Sequence, residues 1–169
     1  RFFRFSTRKF QLPKNLPRTL TTAEIRQLIS VADAQVYQPQ SSFHKILNIR
    51  NSVILELLFC LGLRIGEISA LNLAHYDSED RTLLIHGKGR KERLLYISSP
   101  EVLQKLNNWL DIRNELHPVT DAIFLNRYGG RLSIYGIENL FQKYRDLSSI
   151  NPNSTPHYLR HSFATQLLN

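Results

Sequence analysis

Cysteine is almost absent from this 169-residue sequence, Cys60 being the only one. One chain therefore cannot build a disulfide framework, which fits a reducing, cytoplasmic setting. Cys60 itself sits in an apolar run and reads as a small buried hydrophobe. No apolar stretch is long enough to cross a membrane and none has the form of a signal peptide, so no membrane partner is expected. Internal repeats and low-complexity tracts are missing too, and 42% hydrophobic residues over this length suit one domain with a core of its own. Acid is in short supply. Fourteen Asp and Glu stand against 22 Lys and Arg, a net charge of +8, which points to a polyanionic partner, most often nucleic acid. The zinc pattern H-E-x-x-H is absent, as is an aromatic RNP-type strand pattern for RNA. No metal or nucleotide cofactor is expected.

Along the chain, residues 1–18 carry Arg1, Arg4, Arg8, Lys9, Lys14 and Arg18 without one acid, interleaved with phenylalanines and broken by Pro13 and Pro17. They read as an extended basic arm, with Arg4, Arg8 and Lys9 as candidates to lie along a phosphate backbone. Thr21 and Glu24 form a capping box, and a helix follows through Ile25, Leu28, Ile29 and Ala32. A polar break at 38–42 precedes a strongly apolar helix from about 46 to 60, with Ile49, Val53 and Leu57 on one side; Gly62 caps it. A short helix is predicted from about 63 to 71. The period then changes. A short strand is expected at 73–76, and strands at 82–86 and 93–97 flank Gly87-Lys88-Gly89-Arg90-Lys91 as a hairpin. Helices are predicted at 100–116, from Ser133 through Tyr144, and from Pro156 onward. The fold class expected is mainly α with a small antiparallel β-sheet (α+β).

Three stretches carry chemistry. In the last helix, Ser154 or Thr155 suits the N-cap and Pro156 the first helical position. At about 100° per residue, Leu159, Phe163 and Leu167 share an apolar arc, while His157, Arg160 and His161 share another with only Ala164 between them. Basic side chains on a first helical turn, where N–H groups and the positive end of the macrodipole already point, make a phosphate site. A plain basic surface and a two-histidine metal pair are the competing readings. Arg64, among Leu63, Ile65 and Ile68, is expected to be partly sheltered and fixed by Glu67 three residues on; the same pair also reads as a local surface ion pair. Gly87-Lys88-Gly89 fails the nucleotide P-loop pattern, so Lys88 reads as a reaching point charge at a hairpin tip. Arg90 and Lys91 beside it are candidates for DNA contact, although for Lys91 and Arg93 an ordinary solvated basic turn is the preferred reading.

The order Gly62-x-Arg64-x-x-Glu67, then Gly87-Lys88-Gly89-x-Lys91-x-Arg93, then His157-x-Leu159-Arg160-His161-Ser162-Phe163-Ala164-Thr165 resembles the tyrosine recombinase (phage integrase) family, nearest its Xer-like branch. The resemblance covers about 16–169, and each motif is weak alone but specific in this order. It implies a site-specific DNA recombinase or integrase that cleaves and rejoins double-stranded DNA through a 3′-phosphotyrosyl link, working as a homo-tetramer without a cofactor. By resemblance, Arg64 and Arg160 clamp the scissile phosphate, Lys88 protonates the leaving 5′ oxygen, and His157 serves in acid/base work. His161 would orient the site and Glu67 support Arg64.

The family's pattern runs on past this helix to a further His or Trp and a nucleophilic tyrosine. No tyrosine here takes that role by motif, and Tyr158, about 100° around the helix from His157, reads as a packing residue. The expectation is therefore residues 1–18 as a linker from a DNA-clamping domain, and 19–169 as a catalytic domain without its nucleophile segment. Such a chain should bind DNA but not cleave it. A type IB topoisomerase-like relaxase and a non-catalytic DNA-binding or regulatory remnant are the alternatives.

Overall fold

Helix α2 (Ser42–Cys60) has no solvent side for most of its length: Val53, Ile54, Leu55, Leu57 and Leu58 are at most 1% exposed. At about 1.5–3 kcal/mol for each large aliphatic side chain taken from water, this helix anchors the core. The computed structural model describes residues 18–168. The basic arm, with Arg4, Arg8 and Lys9, lies outside the described residues.

Around α2 pack α1 (Thr22–Val36), α4 (Pro100–Ile112) and α6 (Pro156–Leu168), while α5 (Ile134–Ser148) lies against α1 and the short α3 (Ile65–Ala70). The capping box of Thr21 and Glu24 is present, and Ser41, Ser99 and Ser133 cap α2, α4 and α5 through their hydroxyls. Helix α2 begins four residues earlier than its apolar pattern suggests, because Ser41 Oγ accepts the His44 N–H and starts the helix on a polar turn. Mostly helix with one small antiparallel sheet, the architecture matches the fold class read from the sequence.

The sheet has strands β1 (Tyr76–Asp77), β2 (Thr82–His86) and β3 (Glu92–Tyr96) in the order β1-β2-β3, with Ile85 opposite Arg93 and His86 opposite Glu92. The strand expected at 73–76 is instead a 3₁₀ turn at Leu73–His75 followed by β1. His75 closes that turn by accepting the Asn72 N–H at Nδ1. The predicted helix 100–116 likewise tightens into a 3₁₀ turn at Arg113–Leu116, where Arg113 turns its donors to the carbonyls of Thr120 and Ala122. Between β2 and β3 the chain reverses through Lys88–Arg90, with Gly89 at φ +74°, a conformation that costs glycine nothing.

Polar groups inside this core are satisfied. The Arg50 guanidinium bonds Asn51 Oδ1 and the Leu125 carbonyl, and Asn51 donates to Tyr144 Oη, which donates to Asn48. Burial lowers the Arg50 pKa to about 10. Cys60 is half-buried rather than buried, and its thiol faces Glu56. Among the described residues no helix is long and apolar enough to cross a membrane.

Candidate active site

The turn after α2 and the starts of α3 and α6 meet at one place. Gly62 follows α2 with φ +61°, and its next neighbours lead through Leu63 to Arg64, which precedes the first turn of α3 in extended conformation. Helix α6 crosses directly over Gly62: the Phe163 ring stands where a β-carbon on residue 62 would be. The same crossing brings Arg160 Nη1 to 2.5 Å from the Gly62 carbonyl oxygen. Glycine is thus required at 62 for its backbone and for its missing side chain alike.

A cleft of about 300 Å³ opens beside this crossing, with Leu63, Ile65 and Phe141 as apolar wall and Arg64, Arg145, His157 and Arg160 as basic lining. Thr155 and Pro156, at the start of α6, complete it. The Arg160 pKa is pushed below its ordinary value, first by burial and then by the neighbouring charge of Arg64, with Arg93 adding to this and Glu67 opposing it. Like charges held this close to a helix N-terminus favour an anion between them. Of the sequence-predicted residues, the cleft gathers Arg64, His157 and Arg160; Lys88, Glu67 and His161 are not in its lining. His161 is exposed one turn along α6, its ring 6.5 Å from that of His157. Tyr158 is buried at 8% exposure.

Two expectations are corrected here. Arg64 is exposed rather than sheltered, because its place just before α3 projects its side chain into the cleft while Leu63 and Ile68 take the buried positions. Nor does Glu67 fix the Arg64 fork. Its side chain is only 6% exposed and receives the Arg64 backbone N–H at 2.9 Å, while its carboxylate takes a bidentate pair from Arg93, Nη1 to Oε2 at 2.5 Å and Nη2 to Oε1 at 3.0 Å. Arg160 Nη1 lies 3.7 Å from Glu67 Oε1. Burial pushes the Glu67 pKa up, but these bonds and charges outweigh it and leave the carboxyl below its ordinary range.

Arg93 is therefore no solvated turn residue. The alternation along β3, with Arg93 and Leu95 half-buried and Glu92, Leu94 and Tyr96 exposed, carries the inward face that identifies it. Lys88, Arg90 and Lys91 are exposed on the hairpin. The hairpin is closed by the Gly87 N–H donating to the Lys91 carbonyl at 2.7 Å. A β-carbon on Gly87 would stand 3.7 Å from Arg93 Nη1 and 4.0 Å from Glu67 Oε2. The root of the Lys88 loop thus rests on the Glu67–Arg93 pair.

Two residues that sequence reading passed over also shape the site. Arg145 lines the cleft and donates to the Ser154 carbonyl, holding the loop that leads into α6. Ser162, 2% exposed, accepts the Leu20 N–H and donates to the Tyr158 carbonyl, tying α6 to the segment before α1. Among the described residues no group of three or more His, Cys, Asp or Glu is placed to hold a metal ion.

Comparison with known proteins gives the family and the fold. The model of the Phage integrase family matches residues 18–169. Tyrosine recombinase XerC of Actinobacillus pleuropneumoniae serotype 7 (strain AP76) is 37% identical over 155 residues, covering 92% of this chain and 47% of that protein. Tyrosine recombinase XerC of Chlamydia muridarum (strain MoPn / Nigg) is 38% identical over 160 residues, 94% of this chain and 48% of its own. The chain spans about half the length of the curated relatives it matches. Among solved structures, the XerH site-specific recombinase bound to palindromic difH substrate in a post-cleavage complex has a TM-score of 0.76 at 25% identity, over 90% of this chain and 42% of that one. The XerA recombinase has a TM-score of 0.75 at 25% identity, over 91% and 52%.

Proposed function

The chain belongs to the phage integrase family, and from that premise we propose that it is the catalytic domain of a site-specific tyrosine recombinase that cuts and rejoins double-stranded DNA. The observation that carries this is the cleft in which Arg64, Arg160 and His157 surround the start of α6, with the root of the Lys88 loop joined to the same cluster through Glu67 and Arg93. In the whole protein the domain would be flanked by a DNA-clamping domain before residue 19 and by a nucleophilic tyrosine beyond the last helix, and four such chains would act on two duplexes. The relatives are about twice as long as the stretch they share with this chain, which leaves room for such segments.

The chemistry follows from the donors. Two guanidiniums present planar forks to the non-bridging oxygens of one phosphate, where they oppose the charge that grows in the pentacoordinate transition state. The tyrosine oxygen bonds to phosphorus as the P–O5′ bond breaks, and the departing O5′ takes a proton from Lys88. His157 assists the attacking hydroxyl, and Arg90 and Lys91 meet the DNA backbone from the hairpin. The direct test uses the full-length protein on a nicked duplex that traps the covalent intermediate. A protein–DNA adduct that forms with the parent and is absent with Arg64→Ala and Arg160→Ala supports the reading. Stable binding without any adduct from the full-length parent would instead make this a DNA-binding module.

A further inference from the structure

Glu67 is held by more than its own helix requires. Helix α3 spans only Ile65–Ala70, and the Arg64 N–H already closes its first turn on Glu67 Oε1. Yet both carboxylate oxygens also receive the fork of Arg93 from β3, and one faces Arg160 at 3.7 Å. The bond between α3 and β3 therefore joins two parts that the backbone ladder leaves independent. The ladder of β2 and β3 fixes the strands against each other, from Thr82 opposite Tyr96 to His86 opposite Glu92. It does not fix the hairpin against α3. Packing of the buried Leu83 and Ile85 brings β2 against α3, and Arg93 adds the directed tie, beside Gly87 and thus one residue before Lys88.

We infer that Arg93 is a positioning residue, which through Glu67 holds the Lys88 hairpin in register with the Arg64 and Arg160 clamp. The inference rests on the roles proposed above for Lys88 and the two arginines. A fork matters at this position because a planar guanidinium fixes both the distance and the orientation of the carboxylate, whereas an ammonium fixes only a distance. Loss of Arg93 has two consequences. The hairpin root loses its tie to α3, and Glu67 is freed toward Arg160, its next-nearest cation. The first displaces the proton donor and carries most of the effect; the second disturbs the clamp only slightly.

The experiment is single-turnover cleavage by the full-length protein on two nicked duplexes, one with the natural 5′ oxygen at the scissile bond and one with a 5′-bridging sulfur, whose thiolate leaves without a proton. Arg93→Ala is expected to slow cleavage of the oxygen substrate by roughly 10- to 100-fold, the range for residues that orient a functional side chain, with DNA affinity little changed. The sulfur substrate is expected to recover most of that loss. Arg93→Lys should fall between the parent and Arg93→Ala on oxygen, and carries the test if circular dichroism shows that Arg93→Ala does not fold. Lys88→Ala is the reference. If it is rescued by sulfur and the Arg93 variants are not, or if the Arg93 variants cleave the oxygen substrate normally, the assignment of Arg93 is overturned and that of Lys88 stands. If Lys88→Ala itself is not rescued, the proton-donor role fails and the inference about Arg93 fails with it.

Discussion

Arg160 Nη1 donates to the carbonyl oxygen of Gly62, 98 positions away in the sequence. This one bond joins the end of the central helix to the basic turn of the last helix, and it exists because nothing stands on the Gly62 α-carbon to keep α6 away. Position 62 should therefore be intolerant of even one methyl group. Gly62→Ala faces a left-handed backbone, at about 1–2 kcal/mol for a non-glycine residue, and an overlap with the Phe163 ring, at about 1–3 kcal/mol. Denaturant unfolding is expected to show a loss of a few kcal/mol in total, with DNA cleavage reduced even where the fold persists. The double variant with Phe163→Ala should relieve the overlap but not the backbone strain. Parental stability for Gly62→Ala alone would mean that α6 does not cross where the structure has it.

In the proposed function Arg160 is one of several basic groups offered to DNA, and it stands in the cleft at the start of α6. Removing it should separate binding from chemistry. For Arg160→Ala in the full-length protein, cleavage is expected to fall by at least about 10²- to 10³-fold, the cost of losing one preorganised donor at a developing anion. DNA affinity and its salt dependence should change by no more than one phosphate contact. Cleavage and affinity falling together would assign Arg160 to general DNA attraction.

The Glu67 carboxyl sits below its ordinary range: burial raises it, and the bonds from Arg93 and the Arg64 N–H bring it down further than burial lifts it. A group with a depressed native pKa contributes stability that is complete above its unfolded value and is lost as pH falls through the native one. The unfolding free energy should accordingly drop below about pH 4, where an unfolded glutamate begins to bind protons that the folded one refuses. Glu67→Gln should be less stable at pH 7 and lack its share of that acid-side slope. The two proteins titrating in parallel would show that the Arg93 pair contributes no native-state bias.

Much of the fold was legible because helix α2 is a long apolar run, because the strand-like stretches flank Gly87-Lys88-Gly89, and because Thr21, Ser99 and Ser133 are strong caps. Arg64, His157 and Arg160, which line one cleft, stood out as candidates for another reason, namely that three spaced motifs occur in one order. What the sequence hid are the pairings between distant elements. Glu67 has Arg64 three residues away and Arg93 twenty-six away; local spacing favours the first, and the folded chain uses the second. The Ser162 hydroxyl on Leu20 and the Gly62 carbonyl on Arg160 are of the same kind. Each depends on where α6 comes to rest, which no helical period specifies.

His75 and His86 make a pairing whose protons can be placed from geometry alone. The Asn72 N–H donates to His75 Nδ1 at 3.0 Å, so His75 carries its proton on Nε2. That nitrogen faces His86 Nε2 at 3.1 Å, which must then accept, leaving the His86 proton on Nδ1 toward Glu92 at 3.2 Å. A second proton on His75 would set its Nδ1–H against the Asn72 N–H. The His75 pKa is accordingly below its ordinary value, through burial first and the charge of His86 second, with Arg131 adding to this and Glu92 opposing it. The sign follows from linkage. The unfolded chain takes up this proton near pH 6.5 and the native one resists it, so stability should decline as pH falls below about 6.5. Nitrogen-15 correlation spectra at pH 7.5 are expected to show His75 as the Nε2–H tautomer and His86 as the Nδ1–H tautomer. The decline in stability should shrink in His75→Ala. Either ring in the opposite tautomer would break the chain of donors and with it the link between the turn before β1 and the strands that carry Lys88.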